Sequence, residues 1–373
     1  MQTTNQYIVG REVEVRLLDN ILRGILPYSK INIYGPGGIG KTVVCQKLAE
    51  HCIKERTPYA VVRGDDSTVS TIDQLLYRFR QGLQENVTNL IPNTTFGSFD
   101  SKFNDYLIVK DVIERGGGIT KMFDLAGNLL DQTLLKVVLN TLAVSYESIK
   151  EYFTHRDALE RYIDGVDRWL TSSFVECAQH IVEKGDIRLV LLIDTYETFH
   201  WDTWMCETFA QSLPPDIKVI MLGRNRLSRD NPDWNQFGRE DIYYHELQEL
   251  SEDEAKAYLY HHGLRDDTSL ERVYRFTGGY PLCLVLAVDL AMEMNWEGVR
   301  DFEDPANRDR VAHQLLERIL KQARVKEVQE FLEKGVVARW FDPGAVSYLL
   351  NVSPERGQEI YDTIGKFSFV QLH

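Results

Sequence analysis

Gly35-Pro36-Gly37-Gly38-Ile39-Gly40-Lys41-Thr42 matches the pattern G-x-x-x-x-G-K-[ST], and each fixed residue in it has a chemical task. The glycines let the backbone wrap an anion with its N–H groups, Lys41 reaches the β- and γ-phosphates, and Thr42 supplies a hydroxyl for Mg²⁺. Upstream, Lys30-Ile31-Asn32-Ile33-Tyr34 reads as a short buried strand. Downstream, Thr42 to about Arg56 reads as a helix, with Val44, Leu48 and Cys52 and the neighbouring Val43, Ala49 and Ile53 on a broad apolar stripe. Strand, glycine loop and helix is the setting a phosphate cradle needs, because the helix then aims the positive end of its dipole at the ligand.

The bulk composition narrows the rest. A chain of 373 residues accommodates two or three domains, and 43% hydrophobic with 26% charged residues is ordinary for a soluble globular protein. No apolar run approaches the ~20 residues needed to span a bilayer, and MQTTNQYIVG is not a signal peptide, so a cytoplasmic protein without a membrane partner is expected. Cys45, Cys52, Cys177, Cys206 and Cys283 show no metal-ligand spacing; Cys45 and Cys52 read as small core residues. A net charge of −14 argues against a general nucleic-acid binder, which needs a clustered basic surface.

Further strands are expected at Tyr59–Arg63, at Arg188–Ile193 ending on Asp194, at Lys218–Leu222 ending on Gly223-Arg224-Asn225, and around Ile242–Tyr244. Apolar strands separated by helices imply a parallel sheet covered on both faces. Gly64-Asp65-Asp66 reads as a strand-end turn in preference to a metal site. The third strand lies far beyond the P-loop, so residues near 92–167 read as a helical insertion, with a four-residue apolar step from Leu125 to Ala143 and a loop at Gly116–Gly118. An interaction surface or a core-extending helical pair is its expected role. After Leu250 the pattern is helical: Ser251-Glu252-Asp253-Glu254 is a capping box, and helices follow near 252–262, 268–276, 281–294 and 308–322. From about Val325 three short helices, the last opening at Ser353-Pro354-Glu355, precede an alternating segment, Phe367–Leu372, as in a winged helix. The sequence stops where a returning strand would come, as in a fragment of a longer protein. The expected architecture is therefore an α/β P-loop NTPase domain over 1–245, a helical lid over 246–322 and a winged helix, incomplete, over 323–373.

Asp194 ends a strand as apolar as the P-loop strand, where an acid orients Mg²⁺ and its waters. Glu197, three residues on, can polarise an attacking water or simply open a solvated helix. Arg224 ends the next strand and can read the γ-phosphate, although Arg226 and Arg229 lie close enough to compete for that role. Val9-Gly10-Arg11-Glu12 precedes an amphipathic helix bearing Val15, Leu18, Ile21 and Leu22, and Gly278-Gly279-Tyr280-Pro281 joins two lid helices, where a proline can lie flat against a base. Each of these two is by itself a helix-entry turn.

In this order, Val9-Gly10-Arg11-Glu12, the P-loop, Leu189 to Glu197, Gly223-Arg224, Leu247-Gln248-Glu249-Leu250-Ser251 and Gly279-Tyr280-Pro281 resemble the STAND class of signal-transduction ATPases, relatives of the AAA+ proteins. The resemblance covers nearly the whole chain outside 92–167. It implies an ATP/ADP switch with weak ATPase activity: ADP is clamped between the P-loop domain, lid and winged helix, and ATP opens the lid and permits assembly into a homo-oligomer. Sensor and effector parts would lie outside this chain. By position, the nucleotide site would comprise Val9, Gly10 and Arg11 on the adenine side, Gly35, Pro36, Gly37, Gly38, Ile39, Gly40, Lys41, Thr42 and Val43 around the phosphates, and Pro281 on the base. Thr42 and Asp194 would hold Mg²⁺, mostly through water, with Asp194, Glu197 and Arg224 as the catalytic set. The Asp194-Thr195-Tyr196-Glu197 form has one acid after the spacer where many relatives have two. His373 comes too early for the winged-helix histidine that contacts ADP in relatives.

Two other readings compete. A DNA-engaging ATPase of the AAA+ type shares the P-loop, lid and winged helix, but the third winged-helix helix, from Pro354 to Ile364, sets Glu355, Glu359 and Asp362 against Arg356 alone, a poor major-groove surface. A small-molecule kinase needs a phosphoacceptor pocket and a short arginine-bearing lid, and neither is visible in the sequence.

Overall fold

The structure is a computed structural model that describes residues 9–66, 68–92, 94–114, 156–238, 241–293, 327–328, 330–331 and 341–364. The apolar step from Leu125 to Ala143, the loop at Gly116–Gly118, the helix near 308–322, the segment Phe367–Leu372 and His373 lie outside these residues.

β1 (Lys30–Tyr34), β2 (Tyr59–Arg63), β3 (Leu189–Asp194), β4 (Ile217–Gly223) and β5 (Ile242–Glu246) form one sheet in the order β2-β3-β4-β1-β5, and every neighbouring pair is parallel. β3 and β4 are buried at every residue, as strands covered on both faces must be. Alternation splits the side chains into two cores. On one face Ile31, Ile33, Val190, Leu192, Ile220 and Leu222 meet Leu17, Leu18 and Ile21 of α1 (Glu12–Leu22) and Val44, Cys45, Leu48 and Cys52 of α2 (Lys41–Lys54). Ile53, expected on the apolar stripe of α2, is instead 62% exposed. It stands one residue, or ~100° of helix rotation, past Cys52 and so turns off the buried face.

On the other face lie α3 (Ile72–Leu90), α4 (Gly97–Glu114) and the 30-residue α5 (Arg156–Gly185). Phe96, Phe99, Phe103 and Tyr106, with Val166 at the far end of the same region, are buried in this core beside Phe79 and Phe174. The described ends of the 92–167 region thus extend the main core and are no appendage to it. Arg80 holds Asp100 through paired contacts at 2.7 and 2.5 Å, fixing α4 to α3. At the end of β2 the chain turns as expected: Arg63 clasps Asp65 at 3.0 and 2.8 Å, and Asp66 accepts from the Thr68 N–H at 2.9 Å.

Beyond β5, α6 (Leu227–Asp230) having intervened after β4, the helices α7 (Glu252–His261), α8 (Asp267–Thr277) and α9 (Pro281–Glu293) gather round Leu250, Ala255, Leu259, Leu270, Val273, Leu284 and Ala287. The capping box forms: the Glu254 N–H donates to Ser251 Oγ while Glu254 Oε2 accepts the Ser251 N–H at 2.8 Å. Further on, α10 (Pro343–Leu350) and α11 (Pro354–Ile364) pack Val346, Ile360 and Ile364 with Val328 and Phe331.

Phe174 is fully buried, with its ring centroid 5.8–6.2 Å from those of Phe79, Phe96, Phe99 and Phe209. Phe174→Ala is expected to cost about 3–5 kcal/mol of stability in denaturant unfolding, whereas a loss below about 1 kcal/mol would mean that α5 does not share the sheet's core.

Candidate nucleotide site

All five strands end on one edge, and the residues read from the sequence as chemical collect there. The P-loop leaves β1 at Tyr34 and is tied at once to β4, the Gly35 N–H donating to Gly223 O at 3.2 Å. Gly38 (φ 76°) and Gly40 (φ 96°) take the left-handed backbone that favours glycine. Gly40 delivers the chain directly into α2, whose N-terminus carries no side-chain cap and no acidic residue in its first turn. Its leading N–H groups are therefore left for an anion. Lys41 Nζ donates to Gly35 O at 2.7 Å and Pro36 O at 3.0 Å, curling over the loop it belongs to. Burial pulls the Lys41 ammonium pKa down, and Glu197 and Asp194 oppose that pull.

Asp194 is 1% exposed; Oδ1 accepts the Thr195 N–H at 3.0 Å, and Oδ2 is buried without a hydrogen-bond partner. Burial pushes its carboxyl up, countered by the adjacent Thr42 hydroxyl. Thr195 adopts φ 59°, which swings the chain into a short 3₁₀ turn, Tyr196–Thr198, carrying Glu197. The turn is pinned by Tyr196, whose hydroxyl donates to Asp202, and Asp202 also accepts from Trp234 Nε1 at 2.9 Å. Gly64 lets the end of β2 pass: a Cβ there would lie 2.0 Å from Thr198 Oγ1 and 2.4 Å from Thr195 O.

Glu197 Oε1 accepts from Arg224 Nε at 3.1 Å, and Glu197 Oε2 is buried with no partner. Of the competing arginines, Arg226 instead lies over the Tyr244 ring, 4.1 Å from its centroid. Two orphaned carboxylate oxygens on the P-loop edge are costly, roughly 1–3 kcal/mol each, unless water or a cation serves them. Thr42 and Asp194 supply oxygen donors of the kind that would hold a hydrated Mg²⁺. Among the described residues no group of three or more His, Cys, Asp or Glu could hold a metal ion.

The lid reaches the same loop. Gly278 and Gly279 both have positive φ, and Gly279 has no room for a Cβ, which would sit 2.2 Å from Leu250 O. The reversal brings Tyr280 to donate its hydroxyl to Gly37 O, and the Leu282 N–H to donate to Gly38 O at 3.2 Å. Pro281 lies next to Gly40, its Cγ 4.0 Å from where a Cβ of Gly40 would be.

Arg11 is buried with φ 69°, and its guanidinium donates to Ile39 O on the P-loop and, at 2.8 Å, to Gln248 O before the lid. Its charged end is thus engaged by two carbonyls, while Val9 and Gly10 precede it at the same corner. Sequence reasoning missed Glu14, which is buried beneath Arg11 and accepts from His245 Nε2 at 3.0 Å, taking the imidazole as the donor. Burial pushes the Glu14 carboxyl up, but the His245 bond, a hydrogen bond from its own backbone and the Arg11 charge together outweigh it, and the net direction is down. Its signal was a lone acid in helical phase with Leu17, Leu18 and Ile21.

Neither a protein-family model nor a curated protein matches this sequence. Among solved structures, a STAND protein with a tetratricopeptide repeat sensor from Pyrococcus horikoshii is similar at 13% identity and TM-score 0.39, over 96% of this chain and 39% of that one. Cdc6p of Pyrobaculum aerophilum is similar at 13% identity and TM-score 0.43, over 99% and 90% of the two chains. The Orc1 protein of Aeropyrum pernix, solved in complex with DNA, is similar at 13% and 0.44, over 97% and 86%. This chain has a P-loop NTPase fold. The parallel sheet and the geometry of residues 35–42 establish that, whereas likenesses of this degree carry no residue role across; the chain also spans only 39% of the length of the STAND protein.

Lys41→Ala is expected to abolish measurable binding of ADP and ATP in calorimetry with the fold intact by circular dichroism. Unchanged ADP affinity in that variant would remove the P-loop from the site.

Proposed function

We propose that this chain is an ATP/ADP-controlled regulatory switch of the STAND type, with an ADP-held closed state, ATP-driven opening and self-assembly, and slow ATP hydrolysis. The observation that carries the reading is the Arg224–Glu197 pair, 3.1 Å apart beside the P-loop, under a lid docked on the P-loop carbonyls. Glu197 held by a guanidinium is a poor base for water. A γ-phosphate arriving beside Lys41 offers Arg224 a doubly charged, bidentate partner, for which guanidinium is well shaped. Arg224 then releases Glu197 to orient water. ADP lacks that phosphate and leaves the pair intact, so hydrolysis starts only from the triphosphate. Mg²⁺, held by Thr42 and Asp194, would neutralise charge on the β- and γ-oxygens.

In this reading residues 1–245, 246–322 and 323–373 act as base, lid and clamp, with Val9, Gly10, Arg11 and Pro281 enclosing the adenine. A cytoplasmic setting, where ATP and ADP exchange, suits it. No described helix is long and apolar enough to cross a membrane. The DNA-engaging alternative finds little support in α11: its single arginine, Arg356, is already shared between Glu359 at 2.7 Å and Glu327 at 3.0 Å. Salt-dependent binding of duplex DNA at submicromolar protein would reverse that preference.

Arg224→Ala is expected to weaken a slowly hydrolysed ATP analogue by about tenfold or more while sparing ADP; equal weakening would deny Arg224 its reading role. Glu197→Gln should slow steady-state hydrolysis by about 10²-fold or more with both affinities kept, and a wild-type rate would leave Glu197 a structural part only. Purified protein should be an ADP-bearing monomer that grows in mass with the analogue. The same mass in both nucleotides would refute assembly.

A further inference from the structure

Asn32 stands midway along β1, between β4 and the edge strand β5, fully buried, on the face opposite Ile31 and Ile33. A primary amide enclosed among apolar side chains is costly unless its hydrogen-bonding groups are used. Here both ends are used. Nδ2 donates to Met221 O at 3.2 Å, and Oδ1 accepts the Leu227 N–H at 3.0 Å. Met221 is the residue of β4 directly opposite Asn32, and Leu227 opens α6 after Arg226, which supplies no side-chain cap. One amide therefore grips both ends of the segment 222–226, and Arg224 lies inside that grip.

We infer that Asn32 is a positioning residue for Arg224, fixing the β4–α6 loop so that its guanidinium meets Glu197 and, when ATP is bound, the γ-phosphate. The inference rests on the role proposed above for Arg224. The surrounding geometry leaves the loop little freedom of its own choosing. Gly223 O accepts from the P-loop at Gly35, and a Cβ on Gly223 would lie 3.6 Å from both Glu197 Oε2 and Tyr196 Cβ. The loop is thus packed against the catalytic turn on one side and anchored from beneath by Asn32 on the other. Losing the Asn32 acceptor would strand the Leu227 N–H, and the loop's relief is to shift that group toward water, taking Arg224 with it. A displacement near 1 Å is enough to spoil a contact whose worth lies in alignment. The amide serves both ends of the segment at once, donating at one and accepting at the other.

The test uses the full chain with Mg²⁺ and compares ADP with a slowly hydrolysed ATP analogue by calorimetry. Asn32→Leu is expected to weaken the analogue about three- to tenfold and ADP by less than about twofold, the scatter allowed between independent sites. Because Asn32 acts through Arg224, the double variant Asn32→Leu/Arg224→Ala should discriminate no worse than Arg224→Ala alone. Additive losses, or equal weakening of both nucleotides by Asn32→Leu, would overturn the inference while leaving a selective Arg224→Ala, and so the switch reading, standing. An Arg224→Ala chain that keeps wild-type discrimination would remove both. If Asn32→Leu does not fold, Leu227→Pro deletes the same hydrogen bond from the other side. Proline suits the first position of a helix, and Arg226 at φ −69°, ψ 124° suits the residue before one. Leu227→Pro should show the same selective loss, and unchanged selectivity there would equally overturn the inference.

Discussion

Parallel strands all release the chain at the same edge, and that constraint decides nearly everything else about the molecule. Because β1, β3 and β4 run the same way, the P-loop, Asp194 and Arg224 emerge within reach of one another although they lie far apart in sequence. The price of the arrangement is burial of the central strands on both faces, met by α1 and α2 on one side and by the aromatic-rich helices α3, α4 and α5 on the other. The sheet is a device for assembling one edge, and its apolar faces keep that edge rigid.

The P-loop is used on two surfaces at once. The uncapped start of α2 leaves N–H groups open on one side, while the carbonyls of Gly37 and Gly38 receive Tyr280 and Leu282, and that of Ile39 receives Arg11. These carbonyls are the points at which the lid and the N-terminal segment touch the loop. Arg11 spans the loop and the residues just before α7, so a single side chain belongs to both parts.

The sequence made the P-loop, the five strands and the lid helices legible because each depends on local pattern: glycines at fixed spacing, uniform apolar runs, caps such as Ser251 with Glu254. Asp194 was legible for a second reason, an acid where an apolar strand ends. Polar residues working from inside the core were not. Asn32 looks like an interruption in a strand, and its partners at 221 and 227 are apolar residues that contribute only backbone groups. Glu14 shows in the sequence only as an acid in helical phase with Leu17, Leu18 and Ile21, and nothing in that phase names His245 of β5 as its partner. For Phe96 to Tyr106 the sequence left an interaction surface and a core-extending role both open, and their burial in the main core selects the second for these residues. Pairing across distant elements leaves no trace in spacing.

The helix that carries Lys41 also carries two thiols on its inner face. Burial pushes Cys52 up to about 12, and Cys45 higher still under burial and the Asp194 charge. Thiols so weakly acidic hold almost no thiolate at neutral pH, and thiolate is the form that alkylates, oxidises or captures soft metals. The two cysteines of the helix that carries Lys41 therefore serve its packing against the sheet, as small buried groups, and the thiolate that would react is the form their burial disfavours.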